Sequence, residues 1–321
     1  MGEPITRLNP KVESRTQRTF FVQAMELILK IVMILPRENS KRPGPKPYDY
    51  RMILSLCIFR VLLKKTYADY EIEMRNDMRI CNIFGLQILP GKSTLQRCLS
   101  MTKMDLLRQI NQILIANWIK RKLNISVDAS GIRIIGRSIW YSLRIQRDIS
   151  RRECDKIHLA TCNDTMLILN WFITNGKKHD SPFFRKLLIP FKLLGIVLAD
   201  KGYLARKNYQ FVVDKKGSAF IPFKSNSTAK TKSSPAWKFA FNLWQVLPTI
   251  FRGIYHQRSR VECIFSALKK RWGDNLYSKK PYLRRREMAL RFIAYNIRLI
   301  IYLESAKKHN LSLWVRAKKK K

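Results

Sequence analysis

Gly195-Ile196-Val197-Leu198-Ala199-Asp200 is a short apolar run that ends on a carboxylate. A continuous apolar run of that length, without helical spacing, reads as a buried strand. A second carboxylate is placed the same way, since Ile125-Ser126-Val127-Asp128 alternates like a strand and ends at Asp128. A carboxylate at the end of a buried strand is costly unless it is paired or binds a metal. Strand ends in an open α/β sheet are also where ligands commonly bind. Taken singly, each aspartate is read equally well as a cap on the turn that follows it.

Outward from these two runs the pattern is that of a mixed sheet. Residues 131–135, 139–145, 157–161 and 166–173 are further strand candidates, with turn signals at Asn163-Asp164 and Asn175-Gly176. His179-Asp180-Ser181-Pro182 opens a helix, with Asp180 or Ser181 to cap it and Pro182 at its first position. Residues 205–213 are helical and 219–223 form another strand. Three strands, a helix, a buried strand and a helix make a mixed α/β domain, which we place at residues 123–305 with a flexible Ser/Lys/Thr-rich insertion near 225–237. Residues 284–304 read as a long amphipathic helix, and a basic tail runs over 306–321.

Before residue 123 the chain is helical, with apolar residues at helical spacing over 20–35, 50–64 and 106–119. Between them, 67–78 is a short helix. Gly85, Pro90 and Gly91 break it, and Ser93 or Thr94 can cap a second short helix over 95–101. This helix-turn-helix is either a DNA reader or a corner of a helical bundle. Gly91-Lys92-Ser93 is not a phosphate loop, because such a loop has four residues between its glycines and Gly85 to Gly91 leaves five. Residues 1–122 form a helical region for DNA binding or oligomerisation.

Charge sets the partner. Lys and Arg number 63 against 22 Asp and Glu, a formal net charge of +41. Such an excess repels itself unless it meets a polyanion, and nucleic acid is the obvious one. The apolar runs 28–36 and 52–63 are shorter than the roughly 20 residues a membrane helix needs. Met1–Pro10 carries no signal-peptide core. The six cysteines are scattered without a Cys-x-x-Cys pair and fit neither a zinc site nor a disulfide framework. The expected location is the cytoplasm, at the nucleoid.

A third feature joins the two aspartates. Tyr255, Arg258, Glu262 and Lys269 give the pattern Y-x2-R-x3-E-x6-K. At about 100° per residue all four project within roughly 60° of one helix face. An i,i+4 pair explains Arg258 and Glu262 but not the other two. The set resembles the DDE transposases of prokaryotic insertion sequences, in the branch with a Y-R-E-K signature. Val127-Asp128-Ala129-Ser130-Gly131-Ile132 resembles that family's first-aspartate motif, although Ala129 stands where glycine is common. Leu198-Ala199-Asp200-Lys201-Gly202-Tyr203 resembles the second. Arg258-Ser259-Arg260-Val261-Glu262, followed by Phe265, Lys269 and Trp272-Gly273, resembles the third. His158 and His179-Asp180-Ser181 also sit where similar residues occur. The likeness covers 123–300 well and 45–120 loosely.

The resemblance implies a ribonuclease-H-like catalytic domain in which Asp128, Asp200 and Glu262 hold two Mg²⁺ (or Mn²⁺) ions. It implies cleavage at element ends followed by strand transfer into target DNA. Double-stranded DNA is the implied partner, bound by a homodimer. Arg258 and Lys269 would contact the DNA backbone, and Tyr255 would stack or hydrogen-bond near the displaced strand. Trp171, Trp237 and Trp244 are candidates for stacking on a flipped base, against burial in the core. His158 and His179 are structural rather than ligands, because hard ions favour oxygen. Two other readings fit the same residues: an inactive DNA-binding relative, and a ribonuclease-H-like nuclease that cuts without joining.

Overall fold

The computed structural model describes residues 6–37, 48–86, 88–134, 154–231 and 234–316. The chain divides into two compact units. One comprises Met1–Leu114 with Ala289–Lys321, the other Ile115–Met288.

The first unit begins with β1 (Thr6–Leu8) and α1 (Pro10–Gln17). Asn9 starts that helix because its Oδ1 accepts from Lys11 N at 3.0 Å, with Pro10 in the first turn. Next come α2 (Phe20–Val32) and α3 (Tyr50–Leu63). The residues of α3 from Ile53 to Leu62 are all buried, so its sequence shows no polar face. The helical reading of 67–78 divides into α4 (Tyr67–Asn76) and α5 (Met78–Ile83). Asp77 makes the break: it leaves helical geometry at φ −115°, and its carboxylate caps the second piece through Arg79 N. The helix expected at 95–101 starts earlier, as α6 (Lys92–Met101). Glu71 of α4 accepts from Lys92 N at 3.2 Å, so a neighbouring helix supplies the cap that Ser93 or Thr94 was expected to give. Last of this set is α7 (Met104–Ile115).

The second unit is built on β2 (Lys122–Ile134), β3 (Cys154–Cys162), β4 (Ile168–Asn175), β5 (Leu193–Ala199), β6 (Ser218–Phe220) and β7 (Asn275–Leu276). The spatial order is β4-β3-β2-β5-β6, with β7 beside the far end of β2. β2, β3 and β4 form an antiparallel meander, while β5 runs parallel to β2 and β6 parallel to β5. This is a mixed α/β fold with the ribonuclease-H-like strand order. The strand candidates at 125–128 and 131–135 are one strand, β2. The candidate at 139–145 lies outside the described residues, as does the terminal Lys318–Lys321 run.

Helix α8 (Ser181–Leu188) follows β4, and α9 (Arg206–Asp214) joins β5 to β6. Helix α10 (Pro235–Val246) is capped by Ser234 and followed by α11 (Pro248–Tyr255). A 3-10 turn (His256–Arg258) leads into α12 (Ser259–Trp272). Helix α13 (Pro281–Lys308) begins in this unit, where Arg284 Nε donates to Asp155 Oδ2 at 2.8 Å. Its residues from Ala289 belong to the first unit, as does β8 (Trp314–Arg316), which pairs antiparallel with β1. Among the described residues no helix is long and apolar enough to cross a membrane.

Candidate active site

The sheet positions the first two acids. On one side β2 pairs with β5 only as far as Val127↔Ala199. The same side is paired again only at Arg133, by β7. Asp128 therefore stands where β2 runs on past the end of its parallel neighbour, and Asp200 is the first residue beyond that neighbour. Adjacent strands lie ~4.8 Å apart, so Asp128, still on β2, and Asp200, just past β5, sit side by side.

The third acid comes from α12. Arg258 Nη1 donates to Asp128 Oδ2 at 2.9 Å and Arg258 Nη2 to Glu262 Oε1 at 2.5 Å. One guanidinium thus bridges the first aspartate and the glutamate. The other oxygen of Asp128 accepts from Ala129 N at 2.8 Å. The side chain of Asp128 is only 16% exposed, whereas that of Glu262 is 54% exposed.

These contacts explain the electrostatics. Burial raises the Asp128 carboxyl to about 6, and the negative fields of Asp200 and Glu262 add to that push. The Ala129 amide and Arg258 oppose it. Asp128 is therefore a carboxylate held in its charged form at neutral pH against a desolvation penalty, with cation as its remedy. Burial also raises the Tyr203 phenol, with Asp180, Asp128 and Asp200 adding to the effect. Its hydroxyl is buried without a hydrogen-bond partner among the described residues.

The four residues of the Y-R-E-K pattern do not ride one uninterrupted α-helix. Tyr255 closes α11, Arg258 ends the 3-10 turn, and only Glu262 and Lys269 lie on α12. The backbone at 256–259 keeps right-handed helical angles, so the side chains stay near one another. The Arg258 guanidinium lies 5.8 Å from the Tyr255 ring centre. Burial raises the Tyr255 phenol, so it stays protonated as a donor. Lys269 is turned to a different partner, with Nζ 3.5 Å from Asp274 Oδ1. Asp274 also takes Arg133 Nε of β2 at 3.1 Å, which ties the end of α12 to the strand that carries Asp128.

Among the described residues no three His, Cys, Asp or Glu side chains form a ready-made metal group. Arg258 is bonded to two of the three acids. The donor set nevertheless fits a hard divalent ion, because all three groups offer carboxylate oxygens and the buried one lies in the field of the other two. Trp171 and Trp237 are core residues, fully buried or nearly so, and Trp244 packs against the Leu198–Phe220–Phe251 cluster. His158 is fully buried and stacks on Phe183 at 4.4 Å. Its Nε2 lies 3.0 Å from Thr174 Oγ1, and burial lowers it to about 4, so it is neutral. The sequence reading did not single out Lys156, which pairs with Asp180 at 2.6 Å. Its two-residue spacing from His158 on a strand was the available signal.

The site is defined by three acids: Asp200 just past the end of β5, Asp128 on the adjacent parallel strand β2, and Glu262 on α12, linked to Asp128 through Arg258. Residues 120–297, more than half of the chain, match the family model described as "Transposase DDE domain". The chain belongs to that family. No curated protein sequence matches it. A structure similar to it is that of a piggyBac transposase synaptic complex with hairpin DNA, at 9% identity and a TM-score of 0.47 over 92% of this chain and 75% of that one.

Proposed function

We propose that this protein is a transposase of insertion-sequence type, in the Y-R-E-K branch, that cuts DNA at element ends and joins the freed 3′ end to target DNA. The observation that carries this is the placement of Asp128 on β2 beside the end of β5, where Asp200 follows, together with Glu262, which Arg258 links to Asp128.

Asp128, Asp200 and Glu262 would hold Mg²⁺ or Mn²⁺. When bound there, such ions would supply Lewis acidity for the attacking and leaving oxygens of a phosphodiester. The chain does the rest. Burial of Asp128 shields its carboxylate from bulk water, so charge beside it acts more strongly than in solvent. Arg258, within reach of both Asp128 and Glu262, offers a planar donor fork that matches a phosphate as well as it matches a carboxylate. Tyr255 holds a protonated hydroxyl beside it. Lys269 contacts DNA only after leaving Asp274; in the arrangement described it braces α12 against β2. Bringing two element ends together calls for two copies of the chain, so the functional form is a homodimer on DNA.

The test is cleavage of a plasmid carrying the flanking ends, in Mg²⁺ or in EDTA, by wild type, Asp128→Asn and Glu262→Gln. Metal-dependent cutting at the ends, retained DNA binding and loss of cutting in both variants are expected. Equal cutting by variants and wild type would sink the site assignment. Cutting without joined product would identify a nuclease, and binding without cutting in any metal an inactive relative.

A further inference from the structure

Beside the second aspartate the fold leaves a cleft of about 390 Å³. Its walls are the 176–180 turn between β4 and α8, Lys156 on β3, and Gly202 two residues past Asp200. The cleft is braced from within. Lys156 Nζ lies 2.6 Å from Asp180 Oδ1 and donates to Lys178 O at 3.4 Å. His158 packs behind this pair, with Nδ1 3.6 Å from the same carboxylate oxygen. The turn is fixed along its backbone as well: Gly176 N donates to Cys154 O, Lys177 N to Asn175 Oδ1 and Lys178 N to Asn175 O.

Two consequences follow. The negative charge of Asp180 is already taken by Lys156, so it does not repel an anion. The backbone amides of Gly176, Lys177 and Lys178 are also taken, so at these residues an anion would be met by side chains. Lys177 and Lys178 are exposed, and neither has an acidic partner among the described residues. Two unspent ammonium groups on a stiff turn, at the edge of a cleft next to Asp200, suit phosphate oxyanions.

We propose that this cleft seats the phosphodiester backbone of one DNA strand next to the reacting phosphate, with Lys177 and Lys178 on neighbouring phosphates and the Lys156–Asp180 pair holding the turn. The proposal rests on the reading of the protein as a DNA-cutting enzyme. A strand whose reacting phosphate lies at Asp128 and Asp200 passes Gly202 and enters the cleft. His158, Asp180 and Lys156 act as positioning residues for the turn.

The test uses the full chain in EDTA with a duplex oligonucleotide at several salt concentrations. Each lost phosphate contact lowers the slope of log affinity against log salt by ~0.7–0.9, so Lys177→Ala/Lys178→Ala should lower it by about 1.4–1.8. A second measurement needs no variant. Acetylation of wild-type lysines should be blocked at Lys177 and Lys178 by the oligonucleotide and not by inorganic phosphate at equal phosphate concentration. An unchanged slope, with Lys177 and Lys178 unprotected while DNA binds elsewhere, overturns the cleft and leaves the transposase reading standing. Protection by inorganic phosphate alone makes the cleft a small-anion site and overturns the strand seat. Absence of DNA binding at low salt overturns both readings.

Discussion

Arg258 holds two of the three acids, so its removal should be felt before any chemistry is measured. Arg258→Ala leaves the mostly buried Asp128 without its cation. Breaking one partner of a buried pair costs on the order of 3–5 kcal/mol, and the partial exposure of Arg258 places the expected loss near 2. Glu262→Gln, on a half-exposed side chain, should cost less than about 1 kcal/mol. Thermal unfolding in EDTA checks this ranking. Added Mn²⁺ should recover more of the loss in Arg258→Ala than it gains in wild type, because the ion replaces the missing charge. A flat response in both would argue against the three acids as ligands. His158 gives a pH signature of its own. Burial lowers it to about 4 from 6.5, so between those values the unfolded chain binds the proton and the folded one does not. Its contribution to stability is present above pH 6.5 and is lost as pH falls towards 4, by up to about 3 kcal/mol. Denaturant unfolding at pH 7 and pH 5 should show a drop in wild type that is smaller by about 2 kcal/mol in His158→Gln. Equal drops would show that His158 is protonated in the folded state.

The strand that leads to Asp200, β5, and the residue that leads into β6 meet with almost no clearance. A Cβ at Gly217 would lie 2.8 Å from Gly195 O and 2.8 Å from Leu194 Cβ, so β5 or its connection to β6 would have to shift. Gly217→Ala should therefore destabilise the second unit by ~1–3 kcal/mol, and cutting should fall by more than folding does because Asp200 rides on β5. Circular dichroism melts beside the plasmid assay would show this, and a wild-type melt with full activity would disprove it. At this scale the sequence was legible wherever pattern and chemistry coincide: Ile196–Ala199 reads as a strand because it is a continuous apolar run, too short for a helix, between Gly195 and Asp200. It was not legible where tertiary contacts decide. No local signal says that Glu71 caps α6, or that 125–128 and 131–135 form one strand pairing first with β5 and then with β7. The i,i+4 relation of Arg258 and Glu262 was readable, but the reach of Arg258 to Asp128, 130 residues away in sequence, was not. Nor could a fixed 100° step foresee the 3-10 turn at His256–Arg258, since a tightened turn has the same composition as an α-helical one.

At the scale of the chain, the helices before residue 115 do not complete their own core. Phe20 lies 5.9 Å from Tyr302, Asn111 and Asn296 share a buried hydrogen bond at 2.7 Å, and β1 pairs with β8 near the other end of the chain. Leu290, Phe292, Ile293, Ile297 and Ile300 of α13 are buried within this unit. A reading by local pattern places a boundary near 122 and continues the following domain to 305, because composition changes at Leu123 and no local signal marks position 289. A fragment of residues 1–121 would expose the faces that α13 and β8 cover. Burying a large apolar side chain stabilises by roughly 1.5–3 kcal/mol, so losing five such contacts removes roughly 7.5–15 kcal/mol, as much as the 5–15 kcal/mol that holds a whole domain together. We therefore expect residues 1–121 alone to give a poorly dispersed amide spectrum and weak DNA binding. The same fragment with residues 281–321 joined through a flexible linker should fold and bind duplex DNA at low salt. If the short fragment folds and binds as tightly as the joined one, then α13 and β8 only lie against a unit that is already complete. If the joined fragment folds but binds no DNA, the helix pair α4 and α6 is a bundle corner, and recognition of element ends must come from residues 115–288.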